Sequence, residues 1–166
     1  MGGGSPPERY VEFDIAGLGT VVVDHQVILE QYPEPDSKSE IQTDWFQVGG
    51  PVPTALAVLA RFGRRTTFLG HWGDDPFGAM IEADFQDEGI GFSGSCCRTG
   101  LRSGFAHAWI DARTGQRTIA CSRAESPLSV EEVDEQLLAR CGAIHLDGWP
   151  SEAAHYAARI VRKNGG

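Results

Sequence analysis

Positively charged side chains are scarce in this sequence. Lysine and arginine together number 14 against 23 aspartates and glutamates, which gives a net charge of −9. Only Lys38 and Lys163 are lysines, and the arginines are scattered along the chain without forming a basic run. Because nucleic-acid binding depends on clustered basic residues that neutralise phosphates, we expect no nucleic-acid partner.

Long hydrophobic runs are also missing. No apolar stretch approaches the roughly 20 residues that span a bilayer, so we expect no membrane partner. The first residues are rich in glycine and proline, and they lack the basic start and apolar centre of a signal peptide. We interpret residues 1–12 as a flexible tail that precedes a folded domain of residues 13–166.

Cysteines are few, and their spacing fits no zinc or redox motif. The adjacent pair Cys96 and Cys97 could form a redox switch, but two small, buried or half-buried side chains are the simpler interpretation. In the absence of a secretory signal, reduced thiols favour a cytoplasmic location.

Short apolar segments alternate with helical patterns along the chain. The sequence predicts strands at Phe13–Leu18, Thr66–Leu69 and 143–146, and helices near 55–62, at Pro76–Glu88, at 129–138 and at Ser151–Lys163. Ser129 and Glu132 are spaced as a capping box, and Ser151 is the expected cap of the last helix. This order indicates an α/β fold with a parallel sheet flanked by helices, in which ligands bind beyond the carboxyl ends of the strands.

A pair of glycines, Gly49 and Gly50, immediately precedes one of these helices. Apolar residues then recur at helical spacing, at Ala55, Val58, Leu59 and Phe62. Because glycine has no Cβ, its backbone N–H groups can approach a polar ligand, and the start of a helix favours hydroxyls or anions. A tight turn without a ligand is the alternative interpretation.

A second glycine motif follows the predicted strand Thr66–Leu69. It reads Gly-His-Trp-Gly-Asp-Asp-Pro-Phe-Gly over residues 70–78. Asp75 is well suited to cap the next helix, with Pro76 at the first helical position. Together, the two motifs give the order glycine turn, helix, strand, glycine turn and helix.

The two motifs resemble the first signatures of the ribokinase-like (PfkB-type) carbohydrate kinase family. That family has a glycine pair, a few small residues, an asparagine and a helix ending in Arg-x-Gly, here Arg61-Phe62-Gly63. Its next strand ends in G-x-x-G-D-D-x-x-G, as at residues 70–78. Thr54 stands where the family has a sugar-binding asparagine. Thr54 retains a hydroxyl but loses the paired donor and acceptor of the amide, which leaves the substrate open.

The resemblance implies a set of substrate-binding residues. Asp24 lies five residues after Gly19, on what we predict to be a continuation of the first strand, and matches the family's sugar-binding aspartate. A carboxylate can accept hydrogen bonds from two neighbouring hydroxyls, although capping of local backbone is the alternative. Asp147, at a predicted strand end, matches an acidic sugar-contacting position more weakly. The implied substrate-binding residues are Asp24, Gly49, Gly50, Thr54 and Asp147.

The resemblance also implies a ribokinase-like three-layer fold with a small β lid over the sugar, formed by segments at about 24–47 and 92–121. This lid often mediates dimer contact in the family, so a homodimer is expected. The residues themselves favour strands at 26–29 and 40–47, and a hairpin with strands at 104–111 and 117–121. Four aromatic residues of these segments could line an apolar wall: Trp45, Phe46, Phe105 and Trp109.

The family's second signature, D-T-x-G-A-G-D, does not occur in the sequence, and neither does a phosphate-binding loop with its lysine. In the family that signature supplies the catalytic base and an anion hole. We therefore interpret the chain as the N-terminal half of such a kinase, incomplete at its C-terminus. It would carry the acceptor site but no catalytic or metal-binding residue, and it would be inactive alone. His107 and His145 could act as acid–base groups, but structural roles are the simpler interpretation.

The activity implied by the resemblance is transfer of a phosphoryl group from ATP, with Mg²⁺, to a sugar hydroxyl. Two alternatives remain open. One is a nucleoside kinase of the same superfamily, and the other is a non-catalytic module that binds a ligand or a partner.

Overall fold

The computed structural model describes residues 10–93, 96–124 and 126–166. In chain order its elements are β1 Phe13–Leu18, β2 Val22–Leu29, β3 Ile41–Gly49, α1 Pro51–Arg61, β4 Thr66–Leu69, β5 Trp72–Gly73, α2 Pro76–Glu88, β6 Ile90–Phe92, β7 Cys97–Arg98, β8 Phe105–Asp111, β9 Arg117–Ser122, α3 Glu135–Ala139, β10 Cys141–Leu146 and α4 Ser151–Lys163.

The predicted tail and lid segments fall partly on residues outside this description. Residues 1–9 of the tail and residues 94 and 95 of the second lid segment lie outside the described ranges. The end of the tail is attached to the domain. The Glu12 backbone amide donates to the Arg140 carbonyl at 2.9 Å, and the Glu12 carboxylate pairs with the Arg140 guanidinium at 2.9 Å.

The central sheet has the strand order β10-β1-β4-β6. Each pair of neighbours in it is parallel, which confirms the predicted parallel sheet. Parallel neighbours in a sheet are joined by long crossover connections that usually contain a helix. Here α1 lies between β1 and β4, α2 between β4 and β6, and α3 between β6 and β10.

Side chains of β1 alternate between two hydrophobic cores. Ala16 and Leu18 pack in a core with α3 and α4, whereas Ile15 packs in a core with α1 and α2. At Gly17 a Cβ would lie 2.5 Å from Val52 Cγ1 of α1, so only glycine allows the helix to lie this close. The sheet is therefore covered by helices on both faces, as predicted for an α/β domain of three layers.

A second, mixed sheet has the strand order β3-β2-β8-β9. Alternation along the strands divides its side chains between two faces. The face that carries Asp24 also carries Gln26 and, opposite it, Trp45. We call this the Asp24 face. The other face, the Phe46 face, carries three aromatic side chains paired opposite His25, Val23 and Val27, which are Phe46, Phe105 and Trp109.

The predicted aromatic wall is therefore wrong for Trp45, because Trp45 and Phe46 are consecutive residues of one strand and point to opposite faces. The other three predicted residues share the Phe46 face. The Phe46 face packs against Phe77 at the start of α2, with ring centroids 6.2 Å from Phe46 and 4.5 Å from Phe105. The Asp24 face is turned away from Phe77.

The first strand is shorter than predicted. It ends at Leu18, and β2 begins at Val22 in the second sheet rather than continuing the first strand. Asp24 is consequently an internal residue of the second sheet and does not lie at the end of a central strand.

The helix predicted at 129–138 is divided in two. A 3₁₀ turn, Val130–Glu132, is followed by extended backbone at Val133 with φ −70° and ψ 119°. Asp134 then starts α3 by accepting a hydrogen bond from the Leu137 amide at 2.9 Å. This side chain offers the backbone a new helix start, which interrupts the predicted helix.

The predicted cap of the last helix also differs. Ser151 is the first residue of α4, and its hydroxyl donates to the Gly148 carbonyl at 3.0 Å instead of accepting from the helix. None of the helices in the described ranges has the length and apolar character needed to cross a membrane.

Candidate substrate site

Asp24 projects from β2 toward the glycine pair. Its carboxylate oxygen Oδ2 lies where a side chain on Gly49 would have to be, so Gly49 leaves room for Asp24. The carboxyl is half-buried. Burial raises its pKa, and the Arg117 guanidinium partly opposes that change. Among the described residues no hydrogen bond holds this carboxylate, so its oxygens are free to accept from a ligand.

Gly50 has a different reason to be glycine. Its φ of 110° is a conformation that favours glycine, and a Cβ there would meet the Thr20 carbonyl oxygen. The helix α1 begins directly after it, with no side-chain cap. Both glycines are thus required by the packing of this protein, in addition to any approach of a ligand.

Asp147 follows β10 and is fixed by two backbone amides. Its Oδ2 accepts a hydrogen bond from the Thr20 amide at 2.8 Å, and its Oδ1 accepts one from the Trp149 amide at 2.9 Å. A Cβ on Gly19 would lie 2.6 Å from the Asp147 carboxyl carbon. Asp147 therefore connects the β1–β2 turn to the end of β10. Since a carboxylate oxygen can accept more than one hydrogen bond, contact with a sugar stays a prediction.

The residues predicted from sequence are brought together only in part. Asp24 lies against Gly49, Gly50 lies against the Thr20 carbonyl, and the Thr20 amide is bonded to Asp147, so these residues form one continuous group around the β1–β2 turn. Thr54 is exposed in the first turn of α1, where its amide donates to the Gly50 carbonyl at 3.2 Å. It lines a groove along α1, together with Gln47, Val58, Arg61 and Asp84.

Within the second glycine motif, Asp75 is hydrogen-bonded to two neighbouring segments. Asp75 caps α2, as predicted, by accepting from the Gly78 amide at 2.8 Å. Its carboxylate also accepts from the Ser103 amide at 2.9 Å and hydroxyl at 2.6 Å, and the Gly73 amide donates to that hydroxyl at 3.0 Å. Burial raises the pKa of Asp75, but the hydrogen bonds from Ser103 and Gly78 outweigh it and leave this pKa below its usual value. This network fastens the loop that leads into β8.

Sequence reasoning missed a cavity at the ends of β1, β4 and β10. It is lined by Gly19, Thr20, His71, Arg123 and Trp149, among others. His71 is only 8% exposed, and neither ring nitrogen has a hydrogen-bond partner among the described residues. Burial lowers the pKa of His71 to about 4, with a further contribution from the Arg98 cation and an opposing one from Glu132. Its position directly after a buried strand, like that of Asp147, was the available signal.

The histidines predicted as possible acid–base groups lie elsewhere. His107 is on the Phe46 face, with its Nδ1 3.1 Å from His25 Nδ1, and His25 Nε2 is 2.7 Å from the Asp44 carboxylate. His145 is exposed on β10. Across the described part of the chain, no group of three or more His, Cys, Asp or Glu side chains is placed to hold a metal.

The adjacent cysteines are both free. Cys96 is 5% exposed and Cys97 is half-buried, as the sequence predicted for small packing residues. Burial raises the pKa of both thiols, which disfavours the reactive thiolate form.

A parallel sheet covered by helices on both faces, a glycine turn at its carboxyl edge and a mixed second sheet with an unbonded carboxylate define a ribokinase-like α/β domain. The chain belongs to the pfkB family of carbohydrate kinases, whose family model matches residues 13–165.

Sequence comparison with individual curated proteins is consistent with membership of this family. The sequence is 32% identical over 126 residues to fructokinase-1 of Zea mays, covering 71% of this chain and 38% of that protein. It is 31% identical over 173 residues to 5-dehydro-2-deoxygluconokinase of Clostridium perfringens, covering 95% of this chain and 50% of that protein. The chain thus spans half or less of the length of these curated relatives.

Among solved structures, the Arabidopsis thaliana ribokinase complexed with ribose and ATP superposes with a TM-score of 0.76 at 22% identity. The match covers 92% of this chain and 51% of that chain. At this identity the likeness shows the fold alone.

Proposed function

We propose that this chain is the acceptor-binding part of a sugar kinase that transfers a phosphoryl group from ATP to a carbohydrate hydroxyl. The observation that carries the proposal is the Asp24 carboxylate, which is half-buried beside Gly49 and bound to no donor among the described residues. An ionised carboxylate only accepts hydrogen bonds, and neighbouring sugar hydroxyls are donors of the required geometry. The family and the two curated kinases support the choice of a sugar.

In this proposal Asp24 accepts hydrogen bonds from two hydroxyls and fixes the orientation of the sugar. Gly49 keeps the carboxylate accessible, and Gly50 allows α1 to begin beside the Thr20 carbonyl. Asp147 holds Thr20 in place, and its remaining lone pairs accept from the substrate. Thr54, one turn along α1, would contribute a hydroxyl at the edge of the site.

ATP would supply the phosphoryl group, and Mg²⁺ commonly accompanies it in phosphoryl transfer. The described residues do not fit a magnesium site, because they contain no suitable cluster of ligands, and the sequence has no lysine-containing phosphate loop. We therefore assign neither group to residues of this chain. What this chain contributes is positioning of the acceptor, on which catalysis of this kind depends.

We further propose that residues 13–166 act as one unit and that the second sheet, corresponding to the segments at about 24–47 and 92–121, covers the sugar. Three aromatic side chains of this sheet are substantially exposed, Trp45 at 39%, Phe46 at 45% and Trp109 at 40%. Exposed aromatics of this kind are enriched in protein interfaces, which supports a homodimer through the second sheet. None of the four cysteines forms a disulfide, which supports a reducing compartment such as the cytoplasm.

The test is ADP formation by the protein expressed from its complete gene, with ATP, Mg²⁺ and a panel of acceptors. We expect turnover with at least one of fructose, ribose and 5-dehydro-2-deoxygluconate. Turnover with adenosine alone would replace the proposal by the nucleoside kinase alternative. Sugar binding without any turnover would instead favour the non-catalytic module.

A further inference from the structure

The Asp24 face of the second sheet brings a side-chain amide beside the Asp24 carboxylate. Gln47 of β3 is the register partner of Asp24 in β2. Residues directly opposite each other in an antiparallel pair point to the same face, with Cβ atoms roughly 5 Å apart. Gln47 is exposed, so its side chain is within reach of a sugar hydroxyl that Asp24 holds.

Trp45 determines how the Gln47 amide is oriented. The indole Nε1 of Trp45 lies 3.1 Å from Gln47 Oε1. Because an indole N–H can only donate, it is the amide oxygen of Gln47 that faces Trp45 and accepts. The NH₂ group of Gln47 is left with two donors, and within the described ranges it forms no hydrogen bond.

Asp24 and Gln47 offer a sugar complementary hydrogen-bonding groups. An ionised carboxylate accepts hydrogen bonds and cannot donate them, whereas the NH₂ group of an amide donates and cannot accept. A hydroxyl does both. Each of two adjacent hydroxyls that donate to Asp24 therefore keeps lone pairs, and one of them can accept from Gln47.

Gln47 also adjoins the position at which an amide is missing. Thr54 stands where the family has an asparagine, and Gln47 and Thr54 line the same groove along α1. Gln26 is the other amide of the Asp24 face, but it is paired opposite Trp45 and does not line this groove. Of the two glutamines on this face of the described sheet, Gln47 is thus the one placed beside both Asp24 and Thr54.

We infer that Gln47 supplies the amide donor that Thr54 lacks, by donating to one of two adjacent sugar hydroxyls held at Asp24, and that Trp45 positions this amide. The site then selects sugars with two adjacent hydroxyls, since a sugar without them leaves a polar group of the site unpaired. The inference adds a specificity-determining residue to the proposed sugar kinase and rests on that function.

The experiment measures sugar-dependent ADP formation by the protein expressed from its complete gene, with Mg²⁺. The sugar is whichever of fructose, ribose and 5-dehydro-2-deoxygluconate the wild type phosphorylates best. The variants are Gln47→Leu, which keeps the approximate size but removes the amide, Thr54→Asn, the two combined, and Trp45→Phe. Gln42→Leu is the matched control, because Gln42 is the other glutamine of β3 and is also exposed. Denaturant unfolding of each variant shows that it is folded.

Gln47→Leu should raise the KM of the sugar roughly three- to tenfold, the value of one neutral hydrogen bond, and leave the KM of ATP at saturating sugar unchanged. Thr54→Asn in the Gln47→Leu background should recover most of that loss, because it restores an amide in the same groove. Trp45→Phe should raise the KM of the sugar by less, and should add nothing once Gln47 is leucine. Gln42→Leu should match the wild type.

Other results overturn the inference in distinguishable ways. An unchanged KM of the sugar in Gln47→Leu, or an equal rise in Gln42→Leu, would show that Gln47 does not bind the sugar, and the kinase proposal would stand. A rise that Thr54→Asn does not reduce would show that Gln47 does not replace the family's asparagine, and it would also overturn the inference. If the wild type phosphorylates none of the sugars, the proposed function and this inference fall together.

Discussion

The Thr20 amide donates a hydrogen bond of 2.8 Å to the Asp147 carboxylate, across 127 positions of sequence. The bond connects the turn between the two sheets to the end of β10. The same Thr20 has its carbonyl against Gly50, so the position of the glycine turn depends on Asp147. A residue predicted as a substrate contact therefore also has a structural function.

Replacement of Asp147 tests its structural function. Asp147→Ala removes the acceptor of two backbone amides, so we expect the free energy of unfolding to fall by about 1–3 kcal/mol. Asp147→Asn keeps one acceptor oxygen and should lose less. Urea unfolding monitored by tryptophan fluorescence measures both. An Asp147→Ala protein with wild-type stability would show that these hydrogen bonds do not hold the turn.

Gly49 and Asp24 should be energetically coupled. Gly49→Ala places a methyl group against the Asp24 carboxylate, and overpacking of this kind costs about 1–3 kcal/mol. In an Asp24→Ala background the same substitution should cost much less, because the oxygen has gone. A double-mutant cycle of unfolding free energies measures the coupling. Equal costs in both backgrounds would contradict the contact.

The Asp75–Ser103 network predicts a graded loss of stability. Asp75→Ala removes the cap of α2 and both bonds to Ser103, so we expect it to cost about 2 kcal/mol or more. Ser103→Ala should cost less. Asp74→Ala, which loses only an exposed bond to the Gly100 amide, is the matched control. Thermal unfolding should rank the three variants in this order, and a control as damaging as Asp75→Ala would reject the network.

His71 should make stability depend on pH. Its pKa is about 4 in the folded protein against 6.5 for the free side chain, so between these values only the unfolded chain is protonated. The contribution of neutral His71 to the free energy of unfolding is therefore at its maximum above pH 6.5. It decreases by an amount on the order of 3 kcal/mol as the pH falls toward 4. His71→Phe should show a flatter profile over this window in denaturant titrations at several pH values. Profiles of equal slope would show that His71 is not buried in its neutral form.

Three of the four strands of the central sheet, β1, β4 and β10, could be predicted from sequence because each is a short, continuous apolar run next to helices of clear periodicity. Glycines before α1 and Asp75 before α2 marked the helix starts reliably. The three-residue strand β6 was not predicted, because Ile90–Phe92 is too short to show a period. The division at Asp134 was missed for a related reason. The periodicity continues across it, and the competing cap is a single side chain.

The site was less predictable than the fold. Asp24 was predicted as a substrate contact because its spacing to Gly19 resembles that of the family, but its place in the second sheet depends on the chain leaving β1 at Leu18. His71 and Arg123 lie 52 positions apart and share a cavity only because β4 ends beside the loop that follows β9. No local pattern connects them. The Asp147 carboxylate likewise accepts a hydrogen bond from the Thr20 amide, and no sequence pattern predicted that contact.

The most direct test of the account is the effect of Asp24→Asn on sugar-dependent ADP formation by the protein expressed from its complete gene. Asparagine has nearly the same shape, but it replaces one acceptor oxygen by a donor and removes the charge. We predict a fall in kcat/KM for the sugar of roughly tenfold or more, equivalent to the loss of a charged hydrogen bond, with an unchanged free energy of unfolding and an unchanged KM for ATP. Sugar kinetics equal to those of the wild type would contradict the assignment of Asp24 as the residue that holds the acceptor.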